Sequence, residues 1–397
     1  MTVGEGRILH VGAAAADDAI DLGSVAILPA LVNAHTHLEL SYLHGRVPPS
    51  DRFHEWIRTV MALRRQHPDP SDPEILRAAR SAIDRARRSG TGLIGDISNT
   101  LVTVPLLRDA GMPARVFHEL LGFREADAKG RVEAARSRVR ELGPHPDVRV
   151  SLAPHAPYSV SPPLFEAIRE DLDSQPRPVS SVHLGESLAE VEFVRHGTGA
   201  IRSILEDLGV WTDEWRDVLP AEMSPVGYLS GLGFLDSSVL AVHGVQFDGD
   251  DLTRLHALGV TIASCPRSNQ HVGVGAPPLE VFYAMDVAVA FGTDSLASVS
   301  DLNVFAELAE ARRLAPRVPA RRLLRSATQV GAAALGFGDE LGTIEAGKRA
   351  ALIVVRVPER VTDVEEYLVS GIEPDAVTWL DESRPFAGAN GDTRGSR

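Results

Sequence analysis

Eight apolar, β-rich runs alternate with helix-like segments along most of the chain, and this alternation constrains the fold more than any other feature. Most of the runs are continuously apolar, which is typical of strands that are buried on both faces. The segments between them have helical periodicity, and several end in glycine, a common residue at helix C-termini. The pattern predicts an α/β fold, a (β/α)8 TIM barrel. The runs are 25–34, 91–98, 114–121, 148–156, 179–186, 239–245, 260–266 and 287–295.

The two ends of the chain fall outside this alternation. The N-terminal end holds a short strand-like stretch, and the C-terminal end holds a glycine-punctuated β segment. We expect a (β/α)8 barrel over 25–336 and a small β domain formed by 1–24 and 337–380. Residues 381–397 are rich in Gly, Asp, Arg and Ser, which predicts a disordered tail. The strand-free segment 196–224 is interpreted as an insertion over the barrel mouth.

The composition argues against several classes of function. The chain of 397 residues has a formal net charge of −14 at pH 7 and no basic run, so nucleic acid is not expected as a partner. Its single cysteine, Cys265, excludes an intramolecular disulfide and fits a reducing compartment. The sequence has no apolar stretch of 18 residues, so a membrane partner is not expected either. We expect a cytoplasmic protein that acts on a small-molecule substrate; a homo-oligomer is compatible with the composition, which leaves the oligomeric state open.

The stretch LVNAHTHLELS, residues 31–41, ends the first predicted barrel strand with two histidines two positions apart. Residues i and i+2 of a strand point to the same side, so His35 and His37 would form half of a metal-binding cup. Alone, the pair is equally consistent with two exposed or hydrogen-bonded histidines. The choice depends on whether other strands supply further ligands.

Four other predicted strands have a histidine or an acidic residue at or just after their C-terminal ends. The catalytic groups of a (β/α)8 barrel lie at these ends. Any one of these residues could be an ordinary core or surface residue, but the set as a whole favours a metal site. The residues are His155 after strand 4, His183 and Glu186 after strand 5, His243 after strand 6 and Asp294 after strand 8.

The ligand types indicate the chemistry of the predicted site. Neutral imidazole nitrogens and a carboxylate oxygen suit zinc or ferrous iron, with zinc as the first expectation. Such a metal ion lowers the pKa of a bound water, so that hydroxide exists near neutral pH. We predict one divalent metal ion with an open position for water, held by His35, His37, His183 and Asp294.

Two further residues have predicted roles in proton transfer. Glu186 would shuttle protons between water and substrate, and Asp294, besides binding the metal, would help to pass protons to the leaving group. His243 would orient the hydroxide or donate to developing negative charge. The two lysines of the chain, Lys129 and Lys348, fall outside the predicted barrel mouth, so a second metal bridged by a modified lysine is not expected.

The motifs LPALVNAHTHLELS, HLGES, AVHG and GTDS together resemble the metal-dependent amidohydrolase superfamily, in particular its deaminase and chlorohydrolase branch. The C-terminal segment LGTIEAGKRAALIVV is similar to the β-sandwich segment of that family. The resemblance implies hydrolytic loss of a ring substituent, usually ammonia from an aromatic heterocycle. It also implies that the family's ligands, acid/base residue and strand-6 histidine correspond to His35, His37, His183, Asp294, Glu186 and His243.

Three more segments, PHAPYSVS, FHELLG and CPRSNQHVGVGAPP, together with HTHLELS most resemble bacterial aminodeoxyfutalosine deaminases. This resemblance implies removal of the 6-amino group of an adenine nucleoside in menaquinone biosynthesis. Such a substrate carries a carboxylate, which Arg267 could bind bidentately, while His155 could bond to the sugar or base. Glu119 is a third candidate for substrate binding. Arg267 is equally consistent with a structural arginine that holds loop carbonyls, and Glu119 with a fold residue of the third strand.

Rival functions remain open at this point. The same ligands serve deamination of another adenine nucleoside, guanine or cytosine, dechlorination of triazines and opening of imidazolone rings. A non-catalytic barrel scaffold could have the same fold, because fold alone does not determine function. A scaffold need not retain every ligand, whereas this chain has the complete set. The proton-shuttling Glu186 favours deamination, so we predict an aminohydrolase acting on cyclic amidines.

Overall fold

The strands of the protein follow one another in the order that the apolar runs predict. The computed structural model describes residues 1–12, 19–124, 126–212 and 222–380, and the predicted disordered tail, 381–397, lies outside the described residues. In chain order the strands are β1 (Thr2–Gly4), β2 (Arg7–His10), β3 (Val25–Pro29), β4 (Leu31–Thr36), β5 (Thr91–Ser98), β6 (Ala114–Leu120), β7 (Val148–Pro154), β8 (Ser180–Leu184), β9 (Val239–His243), β10 (Thr261–Ser264), β11 (Ala288–Phe291), β12 (Leu352–Arg356) and β13 (Val377–Trp379).

Two four-stranded parallel sheets form the centre of the fold. One has the order β4-β5-β6-β7 and the other the order β8-β9-β10-β11. Backbone hydrogen bonds cross both seams between the sheets: the His183 N–H donates to the His155 carbonyl at 2.9 Å, and the Asp294 N–H donates to the His35 carbonyl at 3.0 Å. The fold is therefore the (β/α)8 barrel that the sequence predicts.

Helices alternate with the barrel strands. Every residue of β4, β5 and β6 is buried, as expected for parallel strands that are covered on both faces. No helix in the described ranges is long and apolar enough to cross a membrane. The α-helices are α1 (Phe53–Arg64), α2 (Pro73–Arg88), α3 (Thr103–Asp109), α4 (Ala128–Leu142), α5 (Pro162–Asp173), α6 (Leu188–His196), α7 (Gly199–Asp207), α8 (Pro225–Gly231), α9 (Gly249–Leu258), α10 (Pro266–His271), α11 (Leu279–Ala284), α12 (Val304–Leu314), α13 (Ala320–Arg325), α14 (Gly331–Ala334) and α15 (Val364–Leu368). The described ranges also contain two 3₁₀ helices, Leu38–Leu43 and Pro374–Ala376, and one π-helix, Ser326–Val330.

A small β structure joins the two ends of the chain. β1 and β2 form an antiparallel pair, and the Ile8 N–H of β2 donates to the Lys348 carbonyl at 2.9 Å. β3 pairs antiparallel with β12, which also pairs with β13. The apolar run 25–34 therefore contains two strands, and its first half, which the sequence placed in the barrel, belongs to this sheet. Both halves are apolar, so hydrophobicity alone did not reveal the break at Ala30.

Two helices in the connections after barrel strands contact each other above the barrel. α1 follows β4, and α7 lies in the long connection between β8 and β9. Arg58 Nη2 of α1 donates to Asp207 Oδ2 of α7 at 2.5 Å. We call this pair of helices the roof. α7 lies within the segment 196–224 that the sequence interprets as an insertion, of which residues 213–221 lie outside the described ranges.

Candidate active site

The four predicted metal ligands lie together at the C-terminal end of the barrel. His37 Nε2 is 3.3 Å from His183 Nε2 and 3.5 Å from Asp294 Oδ1. His35 Nε2 is 3.9 Å from the same carboxylate oxygen. The ligand atoms of a tetrahedral zinc ion are about 3.3 Å apart, given bonds of about 2.0–2.1 Å. The spacing of the four side chains therefore fits one divalent metal ion.

His35 gives an independent test of that fit. Its side chain is fully buried, and neither ring nitrogen has a hydrogen-bond partner among the described residues. Burial, with the neighbouring histidines, lowers the pKa of His35 well below its usual value, so the imidazole is neutral and offers a lone pair. A buried polar group without a partner is costly, and coordination of a metal would satisfy it.

Second contacts orient two of the other ligands. Nδ1–H of His183 donates to the His155 carbonyl at 2.9 Å, which leaves the lone pair on Nε2 facing His37. Asp294 Oδ2 accepts a hydrogen bond from Ser268 Oγ at 2.6 Å, so Oδ1 is the oxygen that faces the histidines. These contacts hold the donor atoms in position before any ion binds.

The backbone at two of the strand ends adopts an unusual conformation. His243 has a φ of 76° and Asp294 a φ of 58°, both in the left-handed region that side chains other than glycine rarely adopt. Such strain persists only where the surrounding structure fixes the backbone, and it is common at functional sites. The barrel therefore holds these two side chains in place at a cost in conformational energy.

Glu186 lies beside this cluster. Its Oε1 is 3.6 Å from His243 Nε2. Burial, with the carboxylates of Asp294 and Glu190, raises the pKa of Glu186 well above its usual value. A carboxyl with a raised pKa can carry a proton near neutral pH, which a group that relays protons to a substrate must do.

A cavity of about 420 Å³ opens above the cluster, within the range of about 300–1,000 Å³ that is usual for small-molecule pockets. His37, His183, Glu186, His243 and Asp294 form its floor. Apolar side chains of the roof form the opposite wall: Phe53, Trp56, Ile57, Val60 and Met61 of α1, and Ile201, Ile204, Leu205 and Leu208 of α7 and its C-cap. The cavity is thus polar on the side of the candidate metal ligands and apolar on the opposite side.

A comparison with known protein families identifies this combination of fold and site. Residues 26–379 match the model of the Amidohydrolase family. The chain belongs to the amidohydrolase family. It is a hydrolytic enzyme that acts on carbon–nitrogen bonds, in a family that depends on metal ions.

Relatives of this amidohydrolase include two proteins named as deaminases. The 5-methylthioadenosine/S-adenosylhomocysteine deaminase of Moorella thermoacetica is 31% identical over 390 residues, which cover 93% of this chain and 85% of the relative. The aminodeoxyfutalosine deaminase of Deinococcus radiodurans is 32% identical over 328 residues, which cover 78% and 73%. Among solved structures, the zinc-bound adenosine deaminase of Xanthomonas campestris matches with a TM-score of 0.75 and 27% identity, over 89% of this chain and 78% of that one.

Two of the predicted substrate-binding residues line the cavity of the amidohydrolase. His155 Nδ1–H donates to Ser159 Oγ at 2.6 Å, which orients the ring. Glu119 Oε2 accepts a hydrogen bond from Asn99 Nδ2 at 2.8 Å, and its Oε1 lies 3.5 Å from His183 Nδ1. Both side chains are therefore fixed by protein contacts at the edge of the candidate metal site.

Arg267, the third predicted substrate-binding residue, is not in the cavity lining. Its Nε donates to Glu307 Oε1 at 2.7 Å, and its Nη1 donates to Asp301 Oδ1 at 2.9 Å. Nη2 donates to the Asp301 carbonyl at 3.0 Å. The guanidinium is engaged on several sides by these neighbours, so the structure corrects the substrate-binding interpretation in favour of a structural arginine.

The two lysines also lie away from the cavity. Lys129 pairs with Glu170 Oε2 at 3.1 Å on the surface, and Lys348 donates to the Gly338 carbonyl at 2.7 Å. Neither side chain lines the cavity. Both lysines are thus outside the barrel mouth, where the sequence puts them.

Sequence reasoning missed several residues that support the floor. Ser268 and Asn269 lie on α10 directly after β10, and Asn269 Oδ1 accepts a hydrogen bond from His243 Nδ1–H at 2.8 Å. Glu190 accepts hydrogen bonds from the backbone N–H groups of Gly185 and Glu186, each at 2.9 Å. The sequence does contain a signal for Glu190, because S-x-x-E at 187–190 has the pattern of a helix capping box.

Proposed function

We propose that the protein is an aminohydrolase that removes the 6-amino group of an adenine nucleoside, with aminodeoxyfutalosine as its substrate. The observation that carries the proposal is the position of Glu186, a buried carboxyl with a raised pKa, beside four candidate metal ligands under a cavity. The relatives named as deaminases of aminodeoxyfutalosine and of thioether analogues of adenosine support an adenine nucleoside.

Zinc is the proposed metal. His35, His37, His183 and Asp294 would hold it, and the zinc-bound structural relative supports this choice, although ferrous iron suits the same ligand types. When bound, a divalent ion lowers the pKa of a coordinated water toward neutrality and so supplies a nucleophile.

Glu186 would move the protons in this reaction. Its carboxyl would protonate ring N1, which makes C6 more susceptible to attack by water. The carboxylate would then take one proton from the attacking water and deliver it to the 6-amino group. The second proton of that water would return to Glu186 by way of Asp294 as the 6-oxo group forms. Loss of ammonia leaves a 6-oxo purine, so one water is consumed for each ammonia released.

His243 would orient the attacking water. Its Nδ1–H donates to Asn269 Oδ1 at 2.8 Å, so Nε2 carries the lone pair. A lone pair accepts a hydrogen bond, which suits the predicted role in orienting the nucleophile. The alternative role, donation to developing negative charge, needs a proton on Nε2 and is less well supported by this contact.

A second candidate substrate pair is 5′-methylthioadenosine and S-adenosylhomocysteine. The Moorella thermoacetica relative that is named for them covers 93% of this chain. The two proposals share the purine chemistry and differ in the substituent on the sugar.

Ammonia release from zinc-loaded protein tests the proposal. We would compare aminodeoxyfutalosine, S-adenosylhomocysteine, 5′-methylthioadenosine, adenosine, guanine and cytosine at equal concentrations. We expect the highest kcat/KM with aminodeoxyfutalosine and no release from guanine or cytosine. A preference for either thioether nucleoside would replace the substrate, and activity on guanine or cytosine alone would contradict the proposal.

A further inference from the structure

The lining of the cavity contains two arginines at the C-terminal end of α1. Arg64 is the last residue of that helix and Arg65 is its C-cap. Among the residues that the structure describes, no lysine lines the cavity. The remaining charged side chains of the lining are Glu119, Glu186 and Asp294, all close to the candidate metal ligands. Arg64 reaches the edge of the floor, since it donates to Asn99, which in turn donates to Glu119.

The Arg64 side chain is positioned by two neighbours, but most of its N–H groups have no acceptor among the described contacts. Its Nη2 donates to Asn99 Oδ1 at 3.0 Å and lies 3.5 Å from Glu39 Oε1. Glu39 is buried and already accepts hydrogen bonds from Ser98 Oγ and Thr100 Oγ1. A guanidinium has five N–H donors, so the described contacts leave most of those of Arg64 available to a ligand.

Arg65 has no counter-ion among the described residues. In the part of the chain that the structure describes, its exposed side chain makes neither a hydrogen bond nor an ion pair. Two other arginines next to or on the same helix differ in this respect, since Arg52 pairs with Glu55 and Arg58 with Asp207. An unpaired arginine that lines a pocket, in a protein with a net charge of −14, is a candidate for binding an anion.

Arg64 and Arg65 line the same cavity as the floor residues, so one ligand can contact both groups. Trp56 and Arg64 are eight residues apart on α1, which corresponds to about 12 Å along the helix axis. A purine at the floor would lie under the apolar part of the roof. A substituent on its sugar would then run along α1 toward the arginines.

We propose that Arg64 and Arg65 bind a carboxylate at the end of the sugar substituent, so that the enzyme selects adenine nucleosides with an anionic tail. This inference rests on the proposed function and specifies its substrate class. Arg64, fixed by Asn99, supplies a preorganised donor, and Arg65 supplies a mobile charge at the rim. A neutral tail of the same length would leave both guanidinium groups without a partner.

A matched pair of substrates tests the inference. Aminodeoxyfutalosine and its carboxamide differ in the charge of the tail and little in shape. We expect the wild-type kcat/KM to be at least about tenfold higher for the acid, mainly through KM, because hydrogen bonds to charged groups contribute about 10- to 100-fold. Since Arg65 is exposed, the preference should also fall as NaCl concentration rises.

Substitutions then assign the preference to the arginines. Arg65→Gln should lower the acid-to-carboxamide ratio by about half of its logarithm, roughly threefold for a tenfold wild-type preference, and Arg64→Gln combined with it should bring the ratio close to one. Arg80→Gln, which removes an exposed charge from α2 outside the cavity lining, is the matched control and should leave the ratio unchanged. Circular dichroism and zinc content would verify that each variant is folded.

The outcomes separate the inference from the function on which it rests. Ammonia from both substrates with equal kcat/KM, or a preference that Arg65→Gln does not reduce, overturns the arginine site and leaves the deaminase proposal intact. Absence of ammonia from the acid, the carboxamide and 5′-methylthioadenosine alike contradicts the deaminase proposal itself.

Discussion

The floor of the cavity consists of side chains at the ends of barrel strands, whereas its roof consists of two helices in the connections between strands. On the floor, His183 and Asp294 are each oriented by a further hydrogen bond, to the His155 carbonyl and from Ser268. In the roof, α1 and α7 present apolar side chains, and the exposed pair Arg58–Asp207 joins them. This difference suggests separate roles: the side chains of the floor carry out the reaction, and those of the roof determine which substrate binds.

The largest expected effect comes from the floor. Glu186→Gln keeps the shape of the side chain but removes its ability to exchange a proton. We expect kcat to fall by about 10²- to 10⁴-fold while the zinc content, measured by atomic absorption, stays at the wild-type level. Glu170→Gln, on the exposed surface of α5, is the control and should retain full activity. Normal turnover in Glu186→Gln would exclude this residue as the proton shuttle.

A smaller effect is expected one step away from the candidate ligands. Ser268→Ala removes the hydrogen bond to Asp294 Oδ2, so the carboxylate is less well oriented toward the histidines. Loss of such an orienting contact typically weakens metal binding by about 10- to 100-fold. Competition with a zinc-binding dye would measure this change, with the exposed Ser174→Ala as control. Unchanged zinc affinity would show that the floor does not depend on this contact.

The smallest effect is expected in the roof. Trp56→Ala removes the largest apolar side chain of α1 from the cavity wall. Because stacking of a base on an aromatic ring contributes about 1–3 kcal/mol, we expect KM to rise about tenfold with little change in kcat or zinc content. Steady-state kinetics on the best substrate would separate the two parameters. A large fall in kcat at constant KM would contradict the division between floor and roof.

The candidate metal ligands could be located from the sequence because each of them follows or ends a buried strand. His35, His37, His183 and Asp294 could be located by finding where each apolar run ends, and the structure brings all four together. Their supporting contacts were harder to foresee. The hydrogen bond from Ser268 to Asp294 joins two different strand ends, and no local pattern marks such a pair.

The roof was predictable only in part. Phe53, Trp56, Ile57, Val60 and Met61 recur at helical spacing, so an amphipathic helix could have been found, but the surface it covers depends on the tertiary fold. Arg267 illustrates the same limit. It lies on α10, after the seventh barrel strand, and its side chain turns to Glu307 and Asp301, whose proximity comes from folding.

The division of the barrel into two four-stranded sheets has a consequence for how the enzyme is made. In the first sheet, His35 and His37 lie at the end of β4. In the second sheet, His183 lies in β8 and Asp294 follows β11. Neither sheet therefore has the proposed ligand set alone. During synthesis on the ribosome, Asp294 is the last of the four to be added. The hydrogen bond from its own N–H to the His35 carbonyl also joins the last barrel strand to the first. The complete set of candidate ligands therefore exists only in a chain that has been synthesised through the last barrel strand.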